Sequence, residues 1–167
     1  TSVKDSFSDL FSSSPLATQN NNIIISTNNS IYNYNNTNGS KKWESPVSTD
    51  LKPIITKNNI FLFSKTNLLI CLDIVSGEVV WSKNIFNSIN TYNSKELKKI
   101  GKIKNITIAD YNILLFTSKG YLLNFDYKNG NIISIKDISK SGINSDPLFI
   151  NGYFYIFDKK NRIIKYE

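Results

Sequence analysis

Apolar residues come along this chain in short runs, and polar residues separate them at close intervals. From Pro53 the runs "PIIT", "IFLFS", "LLICLD" and "EVVWS" follow one another, with Asn, Ser, Lys and Gly between them. Runs of this length, bounded by turn residues, predict strands and not helices. Across the last two runs Asp73, Gly77 and Trp81 stand at equal intervals of four. The "IVSG" between the runs predicts a turn. Gly77 can take a positive φ at no steric cost, and Asp73 can hydrogen-bond the backbone just ahead of it. Trp81 opens the returning strand and is expected to lie buried against a neighbouring layer.

The pattern repeats. Gly77 follows Gly39 by 38 residues, as Trp81 follows Trp43 and Pro53 follows Pro15. In the first copy Asn35 stands where Asp73 stands in the second. A third copy, from Ile106, keeps Asp126 and Gly130 at the same interval but has Ser134 in place of the tryptophan. A fourth, from Pro147, supplies "PLFIN", "YFYIFD" and "RIIKYE", three strands of a unit, up to Glu167. The repeats run roughly over residues 12–45, 51–84, 104–137 and 145–167. Four strands in a repeat of about 40 residues describe a β-propeller blade. The fold class predicted is therefore all-β, about four blades of four antiparallel strands, forming one segment over residues 1–167. One stretch departs from the strand pattern. "NSKELKKIGK" predicts a short helix over Asn93–Lys102, capped by Asn93 or Ser94 and ended by Gly101.

The stretch "LLICLDIVSGEVVWSKNI" resembles the repeat of PQQ-like propellers: an alternating strand, then Cys-Leu-Asp, a Ser-Gly-Glu turn, and a docking tryptophan. The resemblance covers essentially the whole chain as three and a half repeats. Two families share the repeat: the non-enzymatic outer-membrane assembly lipoprotein BamB and the quinoprotein dehydrogenases. In both, the resemblance implies, the tryptophan of one blade packs on the next. Asn35, Gly39, Trp43, Asp73, Gly77, Trp81, Asp126 and Gly130 are then turn and blade-docking residues.

Composition narrows the functions. The chain has 167 residues, no methionine and no histidine, and begins at Thr1. The expectation is a piece of a longer propeller whose export or lipid-attachment signal would lie upstream. No apolar run is long enough to span a membrane as a helix. The lack of histidine removes the commonest general base and metal ligand. Cys71, the single cysteine, lies inside an apolar strand and reads as a small buried hydrophobe. The net charge of +7 accompanies an abundance of Asn, Lys and Ile, residues of A/T-rich codons. No basic run is interleaved with aromatics as a nucleic-acid groove requires, so nucleic acid is not an expected partner.

The basic residues are densest in an insertion. Gly77 and Gly130 are 53 residues apart, and Lys95, Lys98, Lys99, Lys102 and Lys104 fall between them. An enlarged loop on a rigid scaffold is where partner contact is expected, here over Phe86–Lys104. A dehydrogenase, as its family implies, needs an Asp base, calcium ligands, a stacking tryptophan and a vicinal cysteine pair. This chain has no cysteine pair, and its motif aspartates precede turns. No catalytic, cofactor-binding or metal residue is expected, and a quinoprotein dehydrogenase propeller is the alternative. The scaffold reading, as the BamB resemblance implies, places the protein at the periplasmic face of the outer membrane, contacting the periplasmic domains of BamA. Open blade edges are also expected to favour self-association.

Overall fold

The computed structural model describes residues 15–89 and 99–166. Among these residues fifteen strands form four antiparallel sheets. The first holds β1 (Ala17–Gln19), β2 (Asn22–Ser26), β3 (Ile31–Tyr34) and β4 (Lys41–Ser45). The second holds β5 (Ile54–Ile55), β6 (Asn59–Phe63), β7 (Leu68–Asp73) and β8 (Val79–Asn84). The third holds β9 (Ile103–Ala109), β10 (Asn112–Thr117), β11 (Tyr121–Asp126) and β12 (Ile132–Asp137). The fourth has three strands, β13 (Leu148–Ile150), β14 (Tyr153–Phe157) and β15 (Ile163–Tyr166). In every sheet the spatial order follows the chain order, so each strand pairs with its neighbours in sequence.

The described residues fall into two compact units. One runs to Thr66 and resumes over Cys71–Val80; the other takes Asn67–Ile70 and the chain from Trp81 onward. In the first unit, Ile24, Ile31, Phe61 and Leu62 are wholly buried. β2 and β3 alternate between buried and half-buried positions, as strands with one well-covered face do. β6 is buried at four successive positions, which matches its unbroken apolar run. In the second unit, Leu114, Phe116, Leu122, Ile138, Ile143, Phe154 and Ile156 form one apolar cluster. The Phe116 and Phe154 rings meet edge to face at 5.3 Å, tying the third sheet to the fourth.

One element was not expected from the sequence. β8 carries the expected returning strand through Asn84, and a one-turn helix that the run pattern did not signal, α1 (Ile85–Ile89), follows it. Asn84 starts it, its Oδ1 accepting the N–H groups of Phe86 at 3.0 Å and Asn87 at 3.3 Å. Most of the helix expected over Asn93–Lys102 lies outside the described residues; Lys99 and Ile100 are helical, and Gly101 follows at φ +79°. The segment Ser2–Phe11, the candidate within this sequence for a strand lent to the last blade, also lies outside the described residues.

Candidate functional site

The motif residues build one local device three times. In the second sheet Asp73 Oδ1 accepts the N–H groups of Val75 and Ser76, each at 2.8 Å. The Gly77 N–H donates to the Asp73 carbonyl at 2.9 Å, and the Asp73 N–H to Glu78. The third sheet repeats the set: Asp126 Oδ1 takes Lys128 and Asn129, and Gly130 donates to the Asp126 carbonyl. The first does so with an amide oxygen, Asn35 Oδ1 taking Thr37 at 2.8 Å and Asn38 at 3.4 Å, with Gly39 donating to Asn35. The Asp73 carboxyl is held below its ordinary range, chiefly by the Ser76 N–H and then Val75, against burial acting the other way.

The tryptophans dock on these turns. Trp43 is buried at 8% exposure, and its Nε1–H donates to the Ile74 carbonyl at 2.9 Å. Asn33 Nδ2 donates to the same carbonyl at 3.2 Å. The Trp43 ring lies so close over Gly77 that a Cβ there would meet it at 2.5 Å. Glycine is therefore required twice over at this turn, by φ +74° and by the indole. In the second unit Trp81 covers Gly130 in the same way, again 2.5 Å from a Cβ built there. Trp81 is half-buried, however, and not buried as the repeat predicted. Its strand is the outer one of its sheet, and the flanking β8 side chains Val79 and Val80 are exposed, so solvent reaches the indole.

The end of each second strand carries a further repeated feature. Thr27, Ser64, Thr117 and Asp158 each accept a backbone N–H of the hairpin that follows: Ser30, Thr66, Tyr121 and Lys160 respectively. Asp158 is the charged member, and it is fully buried. Its Oδ1 accepts the N–H of Lys160 at 2.8 Å and of Arg162 at 2.9 Å. Its Oδ2 accepts Ser141 Oγ at 2.7 Å and the Arg162 guanidinium at 2.7 Å. Burial pushes this carboxyl upward, but the Ser141 and Arg162 bonds outweigh it and hold the group far below its ordinary value. A depressed folded-state pKa contributes stability above the unfolded-state value and loses it as pH falls. The melting temperature of the protein should accordingly drop as pH goes below the ordinary 3.8, and Asp158→Asn should flatten that slope. Thermal unfolding followed across acid pH checks this; parallel profiles for the two proteins would remove Asp158 as the cause.

Of the insertion lysines, Lys99, Lys102 and Lys104 are exposed, while Lys95 and Lys98 lie outside the described residues. The Lys102 N–H donates to Ser118 Oγ at 3.1 Å, and its carbonyl accepts the Ser118 N–H, which anchors the end of the insertion. Cys71 is 1% exposed. Burial first, and the Asp73 charge second, push its thiol up to about 12, so it stays a neutral thiol. Among the described residues no group of three or more His, Cys, Asp or Glu is placed to hold a metal ion. No helix among them is long and apolar enough to cross a membrane. The sequence signal for the tryptophan docking was the spacing of 38; the buried Asp158 had none, because its partner Ser141 lies 17 residues away.

Four antiparallel sheets in chain order, three of them with an Asp/Asn-to-Gly turn and two of those turns covered by a tryptophan, define a PQQ-like β-propeller repeat protein. Residues 2–167 match the family described as outer membrane protein assembly factor BamB, and the chain belongs to that family. It is 22% identical to the outer membrane protein assembly factor BamB of Aliivibrio fischeri, over 76% of this chain and 43% of that protein. The crystal structure of BamB from Moraxella catarrhalis superposes with a TM-score of 0.67 at 15% identity, covering 90% of this chain and 44% of the other. The chain thus spans less than half the length of these relatives. The quinohemoprotein alcohol dehydrogenase of Comamonas testosteroni shares the fold, with a TM-score of 0.55 at 12% identity over 74% of this chain and 20% of that one.

Proposed function

We propose that this chain is part of a non-enzymatic propeller scaffold that helps assemble β-barrel proteins of the outer membrane. The observation that carries the reading is the family match over residues 2–167, whose description names that assembly role. The site geometry is consistent with it. Asp73 and Asp126 direct Oδ1 onto their own turns, and Trp43 and Trp81 lie over turn glycines. Each motif residue is thereby engaged in holding the fold. The work of the scaffold then falls to exposed loops and strand edges, where an extended partner can add to a sheet. The reading places the protein at the periplasmic face of the outer membrane, with the periplasmic domains of BamA as its partner.

The insertion over Phe86–Lys104 is the proposed contact. Charge reversal of Lys98, Lys99 and Lys102 in the full-length protein should reduce co-purification with BamA at least several-fold, with circular dichroism unchanged. Undiminished co-purification would reduce the insertion to a solvated loop. If wild-type protein fails to co-purify at all, and instead binds PQQ with calcium stoichiometrically and oxidises alcohols, the dehydrogenase alternative replaces the scaffold.

A further inference from the structure

Lysines collect at one end of the third and fourth sheets. β10 turns into β11 at Lys119, β12 leads to β13 through Lys140, and β14 turns into β15 at Lys159 and Lys160. Lys102 stands just before β9. The strands are antiparallel and in chain order, so all of these connections leave from the same end of their sheets. All five lysines are exposed.

The loops that carry them are tied to one another. The Lys102 N–H donates to Ser118 Oγ at 3.1 Å, and a Cβ on Gly101 would stand 2.5 Å from Lys119 Cγ. The Ser139 N–H donates to the Gly120 carbonyl at 3.1 Å, and the Lys159 N–H to the Gly142 carbonyl at 3.2 Å. A Cβ on Gly142 would stand 2.5 Å from the Ser118 carbonyl oxygen and 3.4 Å from Lys159 Cδ. Four loops therefore form one continuous surface, held by backbone bonds, with the lysines at its turns.

Acids do little to neutralise it. Asp158 is buried and paired with Arg162, and Asp146 accepts Asn105 Nδ2 at 2.8 Å, which leaves Asp137 at the end of β12. Among the described residues none of the five lysines is in an ion pair. The opposite end of the same two sheets differs: its turns hold Asp110, Asp126 and Lys128, and the β13–β14 turn is the uncharged Asn151–Gly152. A composition rich in lysine would supply both ends. Here one end is basic and the other is not, so the charge is placed by position.

The shape of the surface selects the partner. The cleft of about 330 Å³ between the same two sheets is lined by none of these lysines. They stand on separate turns, and charges on turn tips meet a plane. A nucleic-acid strand is held by a groove with stacking rings, and a peptide by a groove or a free strand edge. A bilayer of acidic phospholipid offers a plane of negative charge that needs no fixed match, and clusters of about 4–8 basic residues suffice to hold it. We propose that this end of the third and fourth sheets binds the surface of an anionic phospholipid bilayer through Lys102, Lys119, Lys140, Lys159 and Lys160. The contact is electrostatic and peripheral, and no side chain enters the hydrocarbon. It stands apart from the assembly role, and Lys102 alone is shared with the insertion.

Co-sedimentation of the 167-residue protein with vesicles tests it. The vesicles are phosphatidylcholine alone, or phosphatidylcholine and phosphatidylglycerol in equal parts. The protein should sediment with the phosphatidylglycerol vesicles and not with phosphatidylcholine alone. Binding should be lost in about 1 M salt, where the screening length is about 3 Å. Each lysine near such a surface strengthens binding about fivefold. Lys119→Gln/Lys140→Gln and Lys159→Gln/Lys160→Gln should therefore each weaken it at least about tenfold, with circular dichroism unchanged. Lys57→Gln/Lys128→Gln removes the same charge from other exposed turns and should weaken it less than about threefold. Each double variant is read by itself, so one that fails to fold leaves the other to decide. The proposal is overturned by equal binding to both kinds of vesicle, by no binding to either, or by undiminished binding of the folded double variants. A loss as large in Lys57→Gln/Lys128→Gln would show that net charge acts and not this surface. Soluble polyglutamate or an oligonucleotide that displaces the protein from the vesicles at equal charge concentration would overturn it in favour of an acidic protein or a nucleic acid.

Discussion

Replacing Trp43 with alanine should destabilise the protein by about 3–5 kcal/mol, the range for truncating a core tryptophan. The indole is 8% exposed and lies against Gly77. Its Nε1–H donates to the Ile74 carbonyl, which would lose that donor. Trp81→Ala should cost less, roughly 2–3 kcal/mol, because part of its ring is already in water and contributes less transfer free energy. Urea unfolding of both variants measures the difference. A loss below about 1 kcal/mol for Trp43→Ala would mean that the indole does not hold its turn.

Gly77→Ala should cost about 2–4 kcal/mol, and Gly39→Ala only about 1–2, though the two glycines occupy equivalent turns of successive sheets. Their φ values are nearly equal, +74° and +70°, so the backbone penalty for a left-handed alanine is shared. The surroundings differ. A Cβ at Gly77 meets the Trp43 ring at 2.5 Å, whereas nothing lies within 4 Å of a Cβ at Gly39. The excess at Gly77 is the cost of overpacking against an indole, and it should vanish when Trp43 is alanine. Equilibrium unfolding of the two single variants and the Trp43→Ala/Gly77→Ala double variant completes the cycle. Equal losses at Gly39 and Gly77 would show that the ring yields freely.

The strands and their turns were legible because the signals are local. "LLICLD" is apolar throughout and becomes β7; Asp73 and Gly77 bend the chain with bonds that reach no further than five residues. The spacing of 38 then extended the assignment to sheets whose own signals are weaker, such as Ile31–Tyr34 with Asn in its midst. What depends on neighbours was not legible. The pattern gave Trp43 and Trp81 the same role, yet their exposures differ with the side chains around them. Asn84 reads as one more residue of a strand until the N–H groups it caps are located. The absence of a third tryptophan was visible at Ser134; that a cleft lies beside it, between the third and fourth sheets, was not.

Among the described residues every ladder joins strands that are consecutive in the chain. The entropy of loop closure is therefore small at each step, and no strand has to wait for a distant partner to be synthesised. A chain delivered from its N-terminus can zip each hairpin as it emerges. It then completes one sheet before the next begins, and leaves few unpaired strand edges exposed while the remainder is still being made.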